Sequence, residues 1–209
     1  MNEPVLVLHG IWNPGSWMLP MVWRLRRAGI DARPFAYDSI AGGPDHAVPA
    51  LIRRITQTGA TGLVGYSLGG LVALQALREQ DGLPVRALVC VGSPLCGSQT
   101  ARQLQQLRLG AVLGRSGRLL AQGQSAWQGA VRIGQIAGNC PRGVGRVLGA
   151  QGAASDGTVG LDETRWPGLA DHCVVAASHT GLPFNAQVAG QVAHFLREGG
   201  FSPAGRGPD

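Results

Sequence analysis

The chain has 209 residues, of which 44% are hydrophobic and 14% charged; this suits one domain with a sizeable core and excludes a disordered or fibrous class. The formal net charge is +6, but the arginines are scattered, aromatics make up 5%, and no basic run is interleaved with aromatic residues. A nucleic-acid partner is therefore not expected, and attraction to anionic substrates or transient contact with a membrane surface is the better use of the charge.

The opening stretch, MNEPVLVLHG, is acidic and runs straight into an apolar segment. It lacks the basic start, long apolar run and cleavage site of a signal peptide. Val5 to Leu8 is a continuous apolar run, as expected of a strand buried on both faces. Pro20 to Ala28 reads as a helix, apolar at Val22, Trp23 and Leu25, and Gly29 closes it. Ala32 to Tyr37 suits a second strand. His46 to Gln57 carries Val48, Leu51, Ile52 and Ile55 at helical spacing. Thr61 to Tyr66 is a short apolar strand, followed by Ser67 and a helix through Leu71 to Leu77. Val85 to Val91 is another buried strand.

Residues 94–128 break the alternation, with Leu104, Leu107, Leu109, Val112, Leu113, Leu119 and Leu120 set among Gln, Arg and Gly. This pattern fits one or two short amphipathic helices inserted over the sheet as a cap or lid, or an ordinary packing helix with a loose connection. Val131 to Ala137 and Cys173 to Ala177 supply the last strands, and a closing helix runs from about Asn185 to Arg197. Strand and helix alternate throughout, so the expected class is α/β, a mostly parallel sheet flanked by helices. With no internal repeat or low-complexity linker, a single domain is expected over 1–209. No window approaches the roughly 20 apolar residues of a membrane helix. The four cysteines, Cys90, Cys96, Cys140 and Cys173, form no CxxC pair and no zinc-ligand spacing with histidine, so no metal is expected. A soluble, cytoplasmic protein is the expectation.

Gly65-Tyr66-Ser67-Leu68-Gly69 fits G-x-S-x-G and lies between a predicted strand and a predicted helix. The pattern has a mechanical cause. A nucleophilic serine on a sharp strand-to-helix turn crowds the positions two before and two after it, so small residues are needed there. The helix N-terminus at Ser67 also favours developing negative charge. The same glycines would equally allow tight strand–helix packing, but the flanking elements favour the catalytic reading. Backbone N–H groups for an oxyanion are expected from Leu68, next to the nucleophile, and from Ile11, after His9-Gly10 at the end of the first strand. His9 is expected to hold its loop by a side-chain hydrogen bond rather than to carry protons.

The general base must follow the last strand at the carboxyl end of the sheet. Of His9, His46, His172, His179 and His194, His179 meets that requirement; His172 precedes the strand, His194 lies in the final helix and His46 opens one. The acid should come between Ser67 and His179. Asp156, in the turn-rich string Ser155-Asp156-Gly157-Thr158-Val159, is the choice. Asp162, followed by Glu163, looks solvated, and Asp171 falls at the wrong edge of the sheet.

The strings VLVLHG, GYSLGG, ASDGTV and ASHTGL, in this order, resemble the α/β-hydrolase superfamily. The nearer likeness is to small bacterial lipase- or esterase-like members related to the inositol-deacylase and triacylglycerol-lipase branch. The resemblance implies an α/β-hydrolase fold reduced in size, with early sheet strands missing. It implies carboxylic-ester hydrolysis without a cofactor, a triad of Ser67, Asp156 and His179, and oxyanion donors at Ile11 and Leu68. Tyr66 stands where many lipases have His, which leaves the mechanism intact and alters the pocket wall. Trp12, Trp17, Met18 and Leu95 are candidates for binding an acyl or aromatic group of a small or lipid-like ester; packing of the core edge is their other reading. An acyltransferase with the same triad and a binding module that kept only the fold are the rival functions.

Overall fold

The computed structural model describes residues 3–141 and 154–204. Among these residues six strands form one parallel sheet: β1 (Val5–Leu8), β2 (Ala32–Phe35), β3 (Gly62–Tyr66), β4 (Ala87–Val91), β5 (Arg132–Gly138) and β6 (Asp171–Val175), in the order β2-β1-β3-β4-β5-β6. Every neighbouring pair is parallel. Parallel strands need helical crossovers, and these cover both faces of the sheet. The full burial of β1, β3 and β4 follows from this and matches their unbroken apolar runs.

The two faces have separate cores. On one, α2 (Gly43–Thr58) and α3 (Leu68–Glu79) cover Leu6, Leu8, Leu63, Leu88 and Cys90. On the other, α1 (Leu19–Arg27) and the final helix, Ala186–Glu198, cover Val7, Val64, Val89, Val91 and Ile136. Asn185 caps the final helix by accepting hydrogen bonds from the N–H groups of Gln187 and Val188. Phe195 of that helix has no exposed surface and packs against Phe201 and over Gly134.

Element boundaries shift where the expected elements meet their neighbours. β2 stops at Phe35 because β1 has ended and Tyr37 turns its N–H to the His9 side chain. Pro34 is tolerated because, among the described residues, β2 pairs only with β1, at the edge of the sheet. The helix expected from His46 begins three residues earlier, with Pro44 in its first turn. β6 begins at Asp171 rather than Cys173, so Asp171 and His172 pair with Gly134 and Gln135 of β5.

Residues 94–128 contain two helices, α4 (Gln99–Gln106) and α5 (Gly117–Gln122), joined by a 3-10 segment, Gly110–Ser116. Ala101, Leu104, Leu113 and Leu120 pack into the core on the α2–α3 side. The segment is tied to the loop before α2: Ser116 Oγ donates to the Ser39 carbonyl and the Arg115 N–H to that of Ile40. Among the described residues, no helix is long and apolar enough to cross a membrane.

The Phe195 packing predicts that Phe195→Ala lowers stability by about 3–5 kcal/mol, the range for truncating a fully buried aromatic side chain. Urea unfolding reads this directly. A loss below about 1 kcal/mol would show that the α1 side of the core does not depend on this side chain.

Candidate active site

Ser67 lies between β3 and α3 with φ 53° and ψ −118°. This is a conformation that non-glycine residues rarely adopt, at a cost of roughly 1–3 kcal/mol. The turn closes only because its neighbours lack side chains. A Cβ at Gly65 would stand 2.4 Å from the Gly70 nitrogen, and one at Gly69 would stand 2.7 Å from the His9 carbonyl oxygen. The Ser67 N–H donates to the Val91 carbonyl at 2.9 Å, which fixes the turn against the end of β4.

The last two strands supply the partners. β5 ends at Gly138, and Asp156 lies beyond it in a turn bridged by Ser155 and Gly160. Its Oδ1 accepts hydrogen bonds from the Thr158 and Val159 N–H groups at 2.9 and 2.7 Å, while its own carbonyl accepts from the His179 N–H at 2.9 Å. His179 follows β6 and opens a 3-10 helix, His179–Phe184. Its Nδ1 is 2.7 Å from Asp156 Oδ2, and its Nε2 is 3.1 Å from Ser67 Oγ. The structure thus brings Ser67, Asp156 and His179 into one hydrogen-bonded chain, with 5%, 1% and 7% of their surfaces exposed. A carboxylate can only accept, so Nδ1 carries the imidazole proton and Nε2 is left to accept from the serine hydroxyl. This arrangement can raise the nucleophilicity of a serine and move its proton.

The loop after β1 lies against the elbow. A Cβ at Gly10 would be 3.1 Å from both Ser67 Cβ and Tyr66 Cδ1. Leu68 is the first residue of α3, so its N–H has no partner within the helix. Ile11 follows Gly10 in the turn. His9 has the anchoring geometry expected of it: Nδ1 pairs with the Gly10 carbonyl at 2.8 Å, Nε2 accepts from the Tyr37 N–H at 3.2 Å, and its ring stacks on Tyr37. Burial holds His9 below the ordinary imidazole range. Protonating Nε2 would also break the bond from Tyr37.

The four candidate binding residues separate. Met18 and Leu95 are fully buried, Met18 in the α1-side core and Leu95 in the α2–α3 core, so neither offers surface to a ligand. The sequence left two readings open for these residues, lining the site or filling the core, and these two lie in the core. Trp12 is exposed and in the left-handed region at φ 61°, with Nε1 donating to the Val112 carbonyl. Trp17 packs edge-on against Phe184, the end of the 3-10 helix that His179 opens.

Three contributions escaped the sequence reading. Phe184 is exposed beside Trp17. The buried Tyr66 hydroxyl donates to the His179 carbonyl at 3.1 Å, tying the elbow to the histidine loop. Burial, with the Asp156 charge adding to it, holds the Tyr66 phenol protonated far above neutral pH. Glu163 is not solvated beside Asp162; it is 6% exposed. Its Oε1 accepts from the Gln99 N–H at the start of α4, and the Cys96 N–H donates to its carbonyl. Glu163 therefore ties residues 94–128 to the loop that carries Asp156.

No protein-family model and no curated protein matches the chain. Solved structures do. A lipase of Bacillus licheniformis in its mature form is similar with a TM-score of 0.70 at 18% identity, over 86% of this chain and 85% of that one. Its propeptide form gives 0.76 at 18% identity over all of this chain, which spans about half (52%) of that chain. A metagenomic carboxyl esterase gives 0.67 at 17% identity, over 95% and 76%. With the six-stranded parallel sheet and its helices, these likenesses show the α/β-hydrolase fold.

Burial raises the Glu163 carboxyl above its ordinary value of 4.5, against hydrogen bonds from the Gln99 and Gly160 backbones that favour the charge. The folded chain therefore holds this proton to higher pH than the unfolded chain, and stability falls as pH rises through that window. Glu163→Gln removes this slope. Urea unfolding across the carboxyl range towards neutrality should show the parent losing ground to the variant as pH rises; a difference independent of pH would contradict it.

Proposed function

We propose that this chain is a serine hydrolase acting on carboxylic esters, with Ser67 as nucleophile, His179 as general base and Asp156 as the residue that orients it. The observation that carries the reading is the hydrogen-bonded chain from Asp156 through His179 to Ser67, with the serine held on a strained elbow. The likeness to a lipase and a carboxyl esterase supports the same class.

Ser67 Oγ attacks the ester carbonyl as His179 Nε2 takes its proton. Asp156 keeps the proton on Nδ1 and stabilises the imidazolium. The carbonyl oxygen gains negative charge and accepts hydrogen bonds from the Ile11 and Leu68 N–H groups, interactions worth several kcal/mol in the transition state. The tetrahedral intermediate collapses, the C–O bond to the alcohol breaks, and His179 returns the proton to the departing oxygen. Water, deprotonated by the same imidazole, then attacks the acyl-enzyme and releases the acid and Ser67. No step calls for a cofactor. Tyr66 helps hold the imidazole through the His179 carbonyl.

The acyl side of the substrate is proposed to be apolar. Trp12 follows the Ile11 donor in the chain, and Trp17 packs on Phe184 at the end of the 3-10 helix that His179 opens, so the loops carrying the oxyanion donor and the base both bring aromatic side chains for an apolar chain.

Hydrolysis of a nitrophenyl ester series of increasing acyl length tests both parts. Ser67→Ala should abolish turnover, and Asp156→Asn should lower kcat by about 10⁴-fold by favouring the wrong imidazole tautomer. Rates for the parent should rise from acetate to longer acyl chains. An active Ser67→Ala protein would refute the nucleophile assignment, and a preference for acetate would refute the apolar acyl site.

A further inference from the structure

Residues 94–128 contain four arginines, Arg102, Arg108, Arg115 and Arg118, and no Asp or Glu. All four are exposed. The turn after α4 carries an apolar cluster that the core does not use: Leu107, Leu109 and Val112 are 58%, 50% and 47% exposed. Trp12, 55% exposed, joins them because its Nε1–H reaches the Val112 carbonyl at 2.8 Å. Between Leu107 and Leu109, Arg108 holds a left-handed conformation, φ 59°. The backbone here is fixed, since the Leu109 N–H donates to the Leu104 carbonyl and the Val112 N–H to that of Leu109. Hydrophobic side chains on an ordered turn, left in water and adjoined by cations, call for a partner that is apolar beneath and anionic at its surface.

We propose that Trp12, Leu107, Leu109 and Val112, with Arg108, form a docking surface for an anionic phospholipid bilayer. The apolar side chains enter the acyl boundary and the guanidinium pairs with headgroup phosphates, an arrangement in which Trp is favoured at the interface. Charge complementarity selects this occupant. Among the described residues, no carboxylate forms an ion pair with Arg108. Trp12 follows Ile11 directly, so a docked bilayer would lie beside the loop that abuts Ser67. This goes beyond ester hydrolysis and holds whether or not the lipid is a substrate.

Vesicle sedimentation with the intact Ser67→Ala protein separates binding from turnover. Equimolar phosphatidylcholine–phosphatidylglycerol vesicles should carry the protein down, phosphatidylcholine vesicles alone should not, and high salt should release it. In this background Leu109→Asp should lower partition by at least about tenfold. Arg108→Asn, which suits the left-handed backbone, should lower it about fivefold. The same two substitutions in the active chain should leave hydrolysis of a soluble short-chain ester unchanged, which shows that they fold. Equal binding to both vesicle types, binding to neither, or parent-like binding by both variants would overturn the proposal. So would a concentration-dependent dimer that Leu109→Asp abolishes, because a second copy would then be the occupant.

Discussion

The backbone at Ser67 is the constraint on which the rest of this structure depends. A residue with a Cβ is held at positive φ between a buried strand and a buried helix. Its cost, roughly 1–3 kcal/mol, is met by the parallel sheet on either side, where β1 and β4 fix the strand and the Val91 carbonyl takes the serine N–H. Much of the local sequence follows from that turn. Positions 65 and 69 must lack side chains because the helix start and the His9 backbone lie where a Cβ would be. The same crowding presses the loop after β1 against the serine, so two chain segments converge on one atom without a side chain between them.

The meeting of Ser67, Asp156 and His179 is then a matter of sheet order. β5 and β6 follow β4 across the sheet, so the loops leaving their carboxyl ends rise beside the elbow. Asp156 is held by the N–H groups of its own turn and His179 by the Asp156 carbonyl, so both side chains are located by backbone as well as by each other. Tyr66 adds a third tie from beneath. Under the proposed function, a site fixed in this way needs little reorganisation as charge develops, the property on which electrostatic catalysis depends.

What was legible in the sequence follows from these constraints. Strands buried on both faces have no solvent side, so Val5–Leu8 and Ala87–Val91 stand out as apolar runs. Glycines at 65 and 69 mark a close approach that other residues could not make. The order Ser, Asp, His follows the order of the strands. Less legible were features set by tertiary contact alone. An acidic pair, Asp162-Glu163, gives no sign that one carboxyl caps a helix far along the chain and is buried. Met18 and Leu95 have the chemistry of pocket residues, but two thick cores enclose them. β6 is displaced by two residues because its pairing with β5, rather than its own polarity, decides where it begins. The hydroxyl of Tyr66 found its partner across 113 positions of chain, a separation that no local pattern reports.

The most direct measurement of the central claim is labelling of the purified, folded protein with a fluorophosphonate, with the adduct located by mass spectrometry. The geometry of Ser67, His179 and Asp156 predicts a single adduct on Ser67 Oγ, formed at a rate that falls sharply when His179 is replaced by Ala. An adduct on another serine, or a folded protein that resists the probe, would contradict an activated nucleophile at the elbow.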